Sequence, residues 1–162
     1  MRRFTPVELA TCAALLGSLM AVAVPAFSRD LHASRFVEPV EGLARLSAAA
    51  VAYAETNQRF PDSAPLTPAV PPRGRKDADP PGTWDGATWK ALAFRPSAED
   101  VPHAYAFSFD STTSGGTVFV AQSRGDLDGD GLLSTFEVRG RLGRDAEKPS
   151  VSPGMYVEAE LE

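Results

Sequence analysis

The hydrophobic pattern changes period along the chain. From Leu9 to Ser28 a run of 20 residues, rich in Ala, Leu, Val and Met, carries no charged side chain. A helix needs about 20 apolar residues to cross a bilayer core. The run therefore predicts a membrane-crossing helix over residues 4–28. Arg2 and Arg3 precede it, which sets the short N-terminal end on the cytoplasmic side and the bulk of the chain beyond the membrane. The same run also reads as a secretory signal peptide, cleaved at Ala21-Val22-Ala23 or Ala26-Phe27-Ser28, or as a plain signal anchor. A buried core helix fits poorly with so long a charge-free stretch.

Beyond the membrane the period stays helical. Phe36, Val40, Leu43, Leu46, Ala50 and Tyr53 follow one another at steps of 4, 3, 3, 4 and 3, which predicts one buried face over residues 29–58. Pro39 and Gly42 weaken the helix locally. Residues 59–103 form a proline-rich loop region. Nine of the fourteen prolines lie between Arg59 and Pro102, and they exclude helix and central strand over most of it. A short helical turn is predicted around Ala87–Leu92. Trp84 and Trp89 read as pins holding the loop on the core, with a sugar or partner site as the alternative.

Period two appears in the last part, residues 104–162. Tyr105, Phe107 and Phe109 alternate with smaller residues. Thr117–Ala121 is a β-branched run, and Ser114-Gly115-Gly116 between them signals a hairpin turn. Thr135–Val138 is a third strand with Phe136 and Val138 inward, and Met155–Val157 a fourth. The predicted class is α+β: a long N-terminal helix, transmembrane in its first half, packed on a small antiparallel sheet.

The formal net charge of −5 argues against nucleic acid as a partner. Arg73, Arg75 and Lys76 sit among prolines and glycines and read as a solvated loop. The single cysteine, Cys12, excludes an internal disulfide and lies in apolar sequence, where it acts as a small hydrophobe. His32 and His103, the two histidines, lack metal-ligand spacing and a neighbouring nucleophile, and both read as surface residues. With no acid, base and nucleophile set, the chain is not expected to be an enzyme.

Two features carry candidate chemistry. Glu8 stands at the lip of the apolar run. A carboxylate at mid-membrane costs about 2.5–3.5 kcal/mol, so an acidic residue in such a place usually has a partner and a function. Asp126–Glu137 reads D-L-D-G-D-G-L-L-S-T-F-E, the spacing of a twelve-residue calcium loop. Asp126, Asp128 and Asp130 would each give an oxygen, Leu132 its carbonyl and Glu137 up to two. Strand-like flanks place this loop in a β-hairpin rather than between helices. An ion-free Asp/Gly turn is the alternative.

The segment Phe4-Thr5-Pro6-Val7-Glu8-Leu9 resembles the prepilin cleavage and methylation motif of type IV pilins and type II secretion pseudopilins. Gly17 and the ending Val22-Ala23-Val24-Pro25-Ala26-Phe27 fit the same helix. The family carries glycine before the cleavage point, where this chain has Arg3. The resemblance implies a pilin-like fold, with residues 1–3 as a leader removed between Arg3 and Phe4 by a prepilin peptidase. It implies assembly through Phe4, Glu8, Gly17 and Pro25, the Phe4 amine of one subunit pairing with Glu8 of the next. It further implies other pilin or pseudopilin subunits and an inner-membrane assembly platform as partners. The chain would sit in the inner membrane, head outside the cytoplasm, and then enter a pilus or pseudopilus. Major pseudopilins also hold structural Ca2+ in a C-terminal loop. The competing reading is a membrane-anchored, calcium-stabilised extracytoplasmic binding or adhesion module.

Overall fold

In the computed structural model, residues 5–98, 100–111, 116–143 and 148–159 are described, residues 28–35 by their backbone alone. Helix α1 runs Pro6–Asn57. Strand β1 (Ala64–Thr67), helix α2 (Ala87–Ala91), and strands β2 (Tyr105–Asp110), β3 (Val118–Gly125), β4 (Ser134–Arg141), β5 (Ser150–Val151) and β6 (Tyr156–Glu158) follow. The chain divides into two units, residues 1–36 and 37–162.

In the first unit the described helix from Pro6 to Phe27 spans 22 residues and is long and apolar enough to cross a membrane or serve as a signal sequence. Its large apolar side chains are exposed, among them Leu15, Leu16, Leu19, Met20 and Phe27.

The second unit is an antiparallel sheet in the order β1-β2-β3-β4-β5, with β6 also paired to β4. Pairing sets Phe107 opposite Ser123, and Ser123 opposite Phe136. Phe109 and Ala121, and Ala121 and Val138, form a second row on the same face. These residues, with Phe60, Phe94, Phe119 and the α1 residues Leu43, Leu46, Ala50 and Ala54, make the core.

The buried stripe of α1 keeps Leu43, Leu46 and Ala50 of the predicted face and departs from it at Val40. Val40 is 42% exposed, while Pro39, Gly42 and Ser47 are buried beside Leu43 and Leu46. The reason at this point is close approach: the Phe107 ring occupies the space a Cβ on Gly42 would need, so the glycine faces the sheet there and the bulk comes from the strand.

Both sheet edges are interrupted. Edge strand β1 contains Pro65 and ends at a cis Thr67–Pro68 peptide, consistent with proline being confined to edges. At the other edge β5 and β6 share one partner. Between Gly140↔Val151 and Glu137↔Tyr156 the outer strand holds two extra residues, a bulge carrying Pro153 and Gly154. Prolines and bulges of this kind protect an edge from pairing with another chain.

The proline-rich region is tied down by aromatic contacts. The Trp84 ring meets Trp89 at 5.1 Å edge-on and also meets Phe94 and Phe107. The Trp89 indole N–H donates to Thr67 Oγ1 at 3.0 Å. Arg45 of α1 lies over Phe94 at 5.7 Å and donates to the carbonyls of Arg95 and Pro96. Trp89 is a buried core anchor, while Trp84 is half-buried. His103, expected at the surface, is 2% exposed. Sequence spacing missed it because its partner Asp79 lies 24 positions away and meets it only through folding.

Candidate metal centre and apolar helix

The three aspartates of the Asp/Gly loop converge. Each of Asp126, Asp128 and Asp130 offers a carboxylate oxygen, and these lie within 4.8 Å of one another. The β3–β4 hairpin brings them together, because the loop begins where Gly125 pairs with Ser134. Gly129 and Gly131 take positive φ, +87° and +97°, which glycine tolerates without strain. Those turns aim peptide N–H groups inward. Gly129 and Gly131 donate to the Asp126 carboxylate at 2.7 and 3.2 Å. Asp130 N–H donates to Asp128 at 3.1 Å, and Leu132 N–H donates to Asp130 at 2.7 Å.

Asp126 is 1% exposed, while Asp128 and Asp130 face solvent. Its main chain is also held, since Gly74 N–H donates to its carbonyl at 2.8 Å. The Arg73 guanidinium stands 3.9 Å from its carboxylate. Arg73 is solvated, as expected of a loop residue, and also faces Asp126. A buried carboxylate needs such donors to remain charged.

Glu137, the twelfth residue of the motif, lies elsewhere. It points from β4 beside Gln122 of β3. Gln122 Nε2 donates to it at 2.8 Å and Arg139 Nε at 2.6 Å. Burial pushes its carboxyl up. The hydrogen bonds from Gln122 and Arg139, with the charges of Arg139 and Arg124, outweigh burial and hold it below the ordinary carboxylate value. Leu132 sits in the loop with its side chain 58% exposed.

At the other candidate site, Glu8 accepts from Thr5 N–H at 2.8 Å and from Thr5 Oγ1 at 3.1 Å, while Glu8 N–H donates to Thr5 Oγ1 at 3.3 Å. This is a capping box, which satisfies two free donors at the start of α1. The signal T-x-x-E is present in the sequence as Thr5-Pro6-Val7-Glu8. Gly17 has open space where a Cβ would be, and Pro25 is exposed on the helix. Arg3 and Phe4 lie outside the described residues, as do the His32 side chain and Ser114-Gly115.

The fold thus defines an α+β chain with an apolar N-terminal helix and an Asp/Gly loop between its central strands. No protein-family model, curated protein or solved structure matches it.

Proposed function

We propose that the chain is a pilin-like assembly subunit, inserted in a membrane through α1 and joined to like subunits by the same helix. The observation carrying this reading is the exposed apolar surface of Pro6–Phe27. Such a surface requires lipid or another apolar surface against it. The interrupted sheet edges support the helix as the means of assembly, because Pro65 and the Pro153–Gly154 bulge oppose strand-to-strand association.

Leader removal between Arg3 and Phe4 would create an amine that Glu8 of a neighbour neutralises. Two charges that are each costly near lipid are tolerable as a pair. The test is intact mass with N-terminal sequencing of protein from its native membrane, with filament incorporation scored for Glu8→Gln. A chain starting at methylated Phe4, and lost incorporation in the variant, support assembly. A chain starting at Met1, or unchanged incorporation, opposes it.

The second reading is an anchored extracytoplasmic binding or adhesion module. The Thr5–Glu8 capping box favours it, because it gives Glu8 a role within its own helix.

In either reading the Asp126 loop is proposed to take Ca2+ through Asp126, Asp128, Asp130 and the Leu132 carbonyl. Three converging carboxylates and two positive-φ glycines fit a hard cation that wants oxygen ligands. Glu137 is engaged in the sheet, so the protein offers fewer oxygens than a complete twelve-residue loop. That favours a weak site of about 10⁻⁴–10⁻³ M, the range of extracellular modules.

A further inference from the structure

His103 presents a proton-counting problem. Its Nδ1 lies 2.8 Å from the carbonyl oxygen of Tyr105, and its Nε2 lies 2.6 Å from Asp79 Oδ2. A carbonyl only accepts, and so does an ionised carboxylate. A neutral imidazole carries one N–H and satisfies one of the two. The ring is 2% exposed, so water does not replace the missing donor without a rearrangement. One further proton, shared between the ring and Asp79, satisfies both contacts.

The surroundings tie this proton to a segment of the chain. Asp79 Oδ2 also accepts the Trp84 indole N–H at 2.6 Å. Asp77 and His103 exchange both backbone hydrogen bonds, at 3.0 and 3.1 Å. Among the described residues, Asp85, Arg95 and Asp100 line the same cavity as Asp79, and Asp85 faces Lys90 at 3.5 Å. Asp77 faces Arg75 at 3.0 Å, and Glu38 of α1 faces Lys76 at 2.9 Å while holding the peptides of Ala104 and Tyr105. Asp79 is thus the carboxylate in contact with the ring.

We propose that Asp79 and His103 form a proton-dependent clasp, which fastens residues 77–84 of the proline-rich region to the start of β2 and loosens as pH rises. Losing the proton sets a ring lone pair against an oxygen lone pair. With the remaining N–H on Nδ1 bonded to the Tyr105 carbonyl at the start of β2, the opposed lone pairs are those of Nε2 and Asp79, and moving the 77–84 segment relieves them. In a head outside the cytoplasm, such a clasp would report the external pH through the conformation of a surface loop.

The test is NMR on the full chain in detergent micelles, following the His103 ring nitrogens and hydrogen exchange between about pH 5 and pH 8, where histidine titrates. Exchange is normalised to the intrinsic rate at each pH. Both ring nitrogens should be protonated at the acid end. As the ring loses a proton, protection of the Asp77 amide and Trp84 indole N–H should fall about tenfold, while the Ala121 and Val138 amides keep theirs. In His103→Gln the pH response of Asp77 and Trp84 should disappear. A ring whose protonation does not change in this range overturns the proposal. So does protection at Asp77 and Trp84 that is unchanged through the titration, or that falls equally at Ala121 and Val138. The wild-type measurements decide alone if the variant does not fold.

Discussion

Glu38 of α1 accepts the peptide N–H of Tyr105 at 3.0 Å, at the point where β2 begins, and the same oxygen accepts that of Ala104 at 2.7 Å. The second oxygen accepts from Lys76. One side chain thus joins the helix, the central sheet and the proline-rich region. Removing it strands two peptide donors, each costing about 1–3 kcal/mol if buried and unpaired. Glu38→Ala should therefore destabilise the chain by about 2–4 kcal/mol in chemical denaturation. Glu38→Gln keeps a carbonyl acceptor and should cost less than half of that. Equal losses in the two variants would make charge, not peptide capture, the main contribution.

Gly42 sets two effects against each other. Alanine is favoured over glycine in a helix by about 1 kcal/mol, so propensity alone predicts stabilisation. The Phe107 ring lies where the new Cβ would be, and overpacking a core costs about 1–3 kcal/mol. Both partners are buried, so packing should win and Gly42→Ala should lower stability. A double variant with Phe107→Leu should recover part of the loss. A stabilised Gly42→Ala would show that the sheet and helix are further apart.

Much of this architecture is legible in the sequence, for reasons that differ by element. The apolar run Leu9–Ser28 needs only composition, and Tyr105, Phe107 and Phe109 reveal β2 by alternation. The Asp126 loop is visible because the spacing of its aspartates and glycines is local. What escapes is whatever depends on distant residues. The Asp126 anchor, Arg73-Gly74, lies some fifty positions upstream. His103 is buried by Asp79, and Val40 is exposed because Gly42 admits Phe107. β1 hides behind Pro65, and two-residue β5 is too short to show a period. Glu137 fits the loop by spacing, yet the pleat of β4 directs it to Gln122.

Glu137 also gives a pH dependence whose sign follows from its surroundings. Its carboxyl is held below the ordinary value in the fold. Its contribution is therefore complete above the unfolded-state value and fades as pH falls through the folded-state value. Stability measured from neutral pH downwards should decline on the acid side, and Glu137→Gln should flatten part of that decline. At neutral pH the variant should be less stable by about 1 kcal/mol, the difference between a charge-assisted and a neutral hydrogen bond. An unchanged acid slope would show that it does not come from Glu137.

Calcium should act through the native state alone. An ion that binds the folded chain and not the unfolded one stabilises it by RT ln(1 + [Ca2+]/Kd). With Kd near 10⁻³ M, about 10 mM calcium should add about 1.4 kcal/mol, read as a raised melting temperature that a chelator reverses. Asp128→Asn should abolish the response with little effect on the ion-free protein, because Asp128 is exposed and asparagine keeps the oxygen that Asp130 N–H uses. Asp126→Asn should instead destabilise even the ion-free chain. Asp126 is buried and holds Gly129, Gly131 and Arg73, and losing charge there weakens all three contacts. If calcium raises stability equally in Asp128→Asn, the ion binds at another site. If it has no effect on the wild type at millimolar concentration, the loop is an Asp/Gly turn held by its own peptide groups and Arg73.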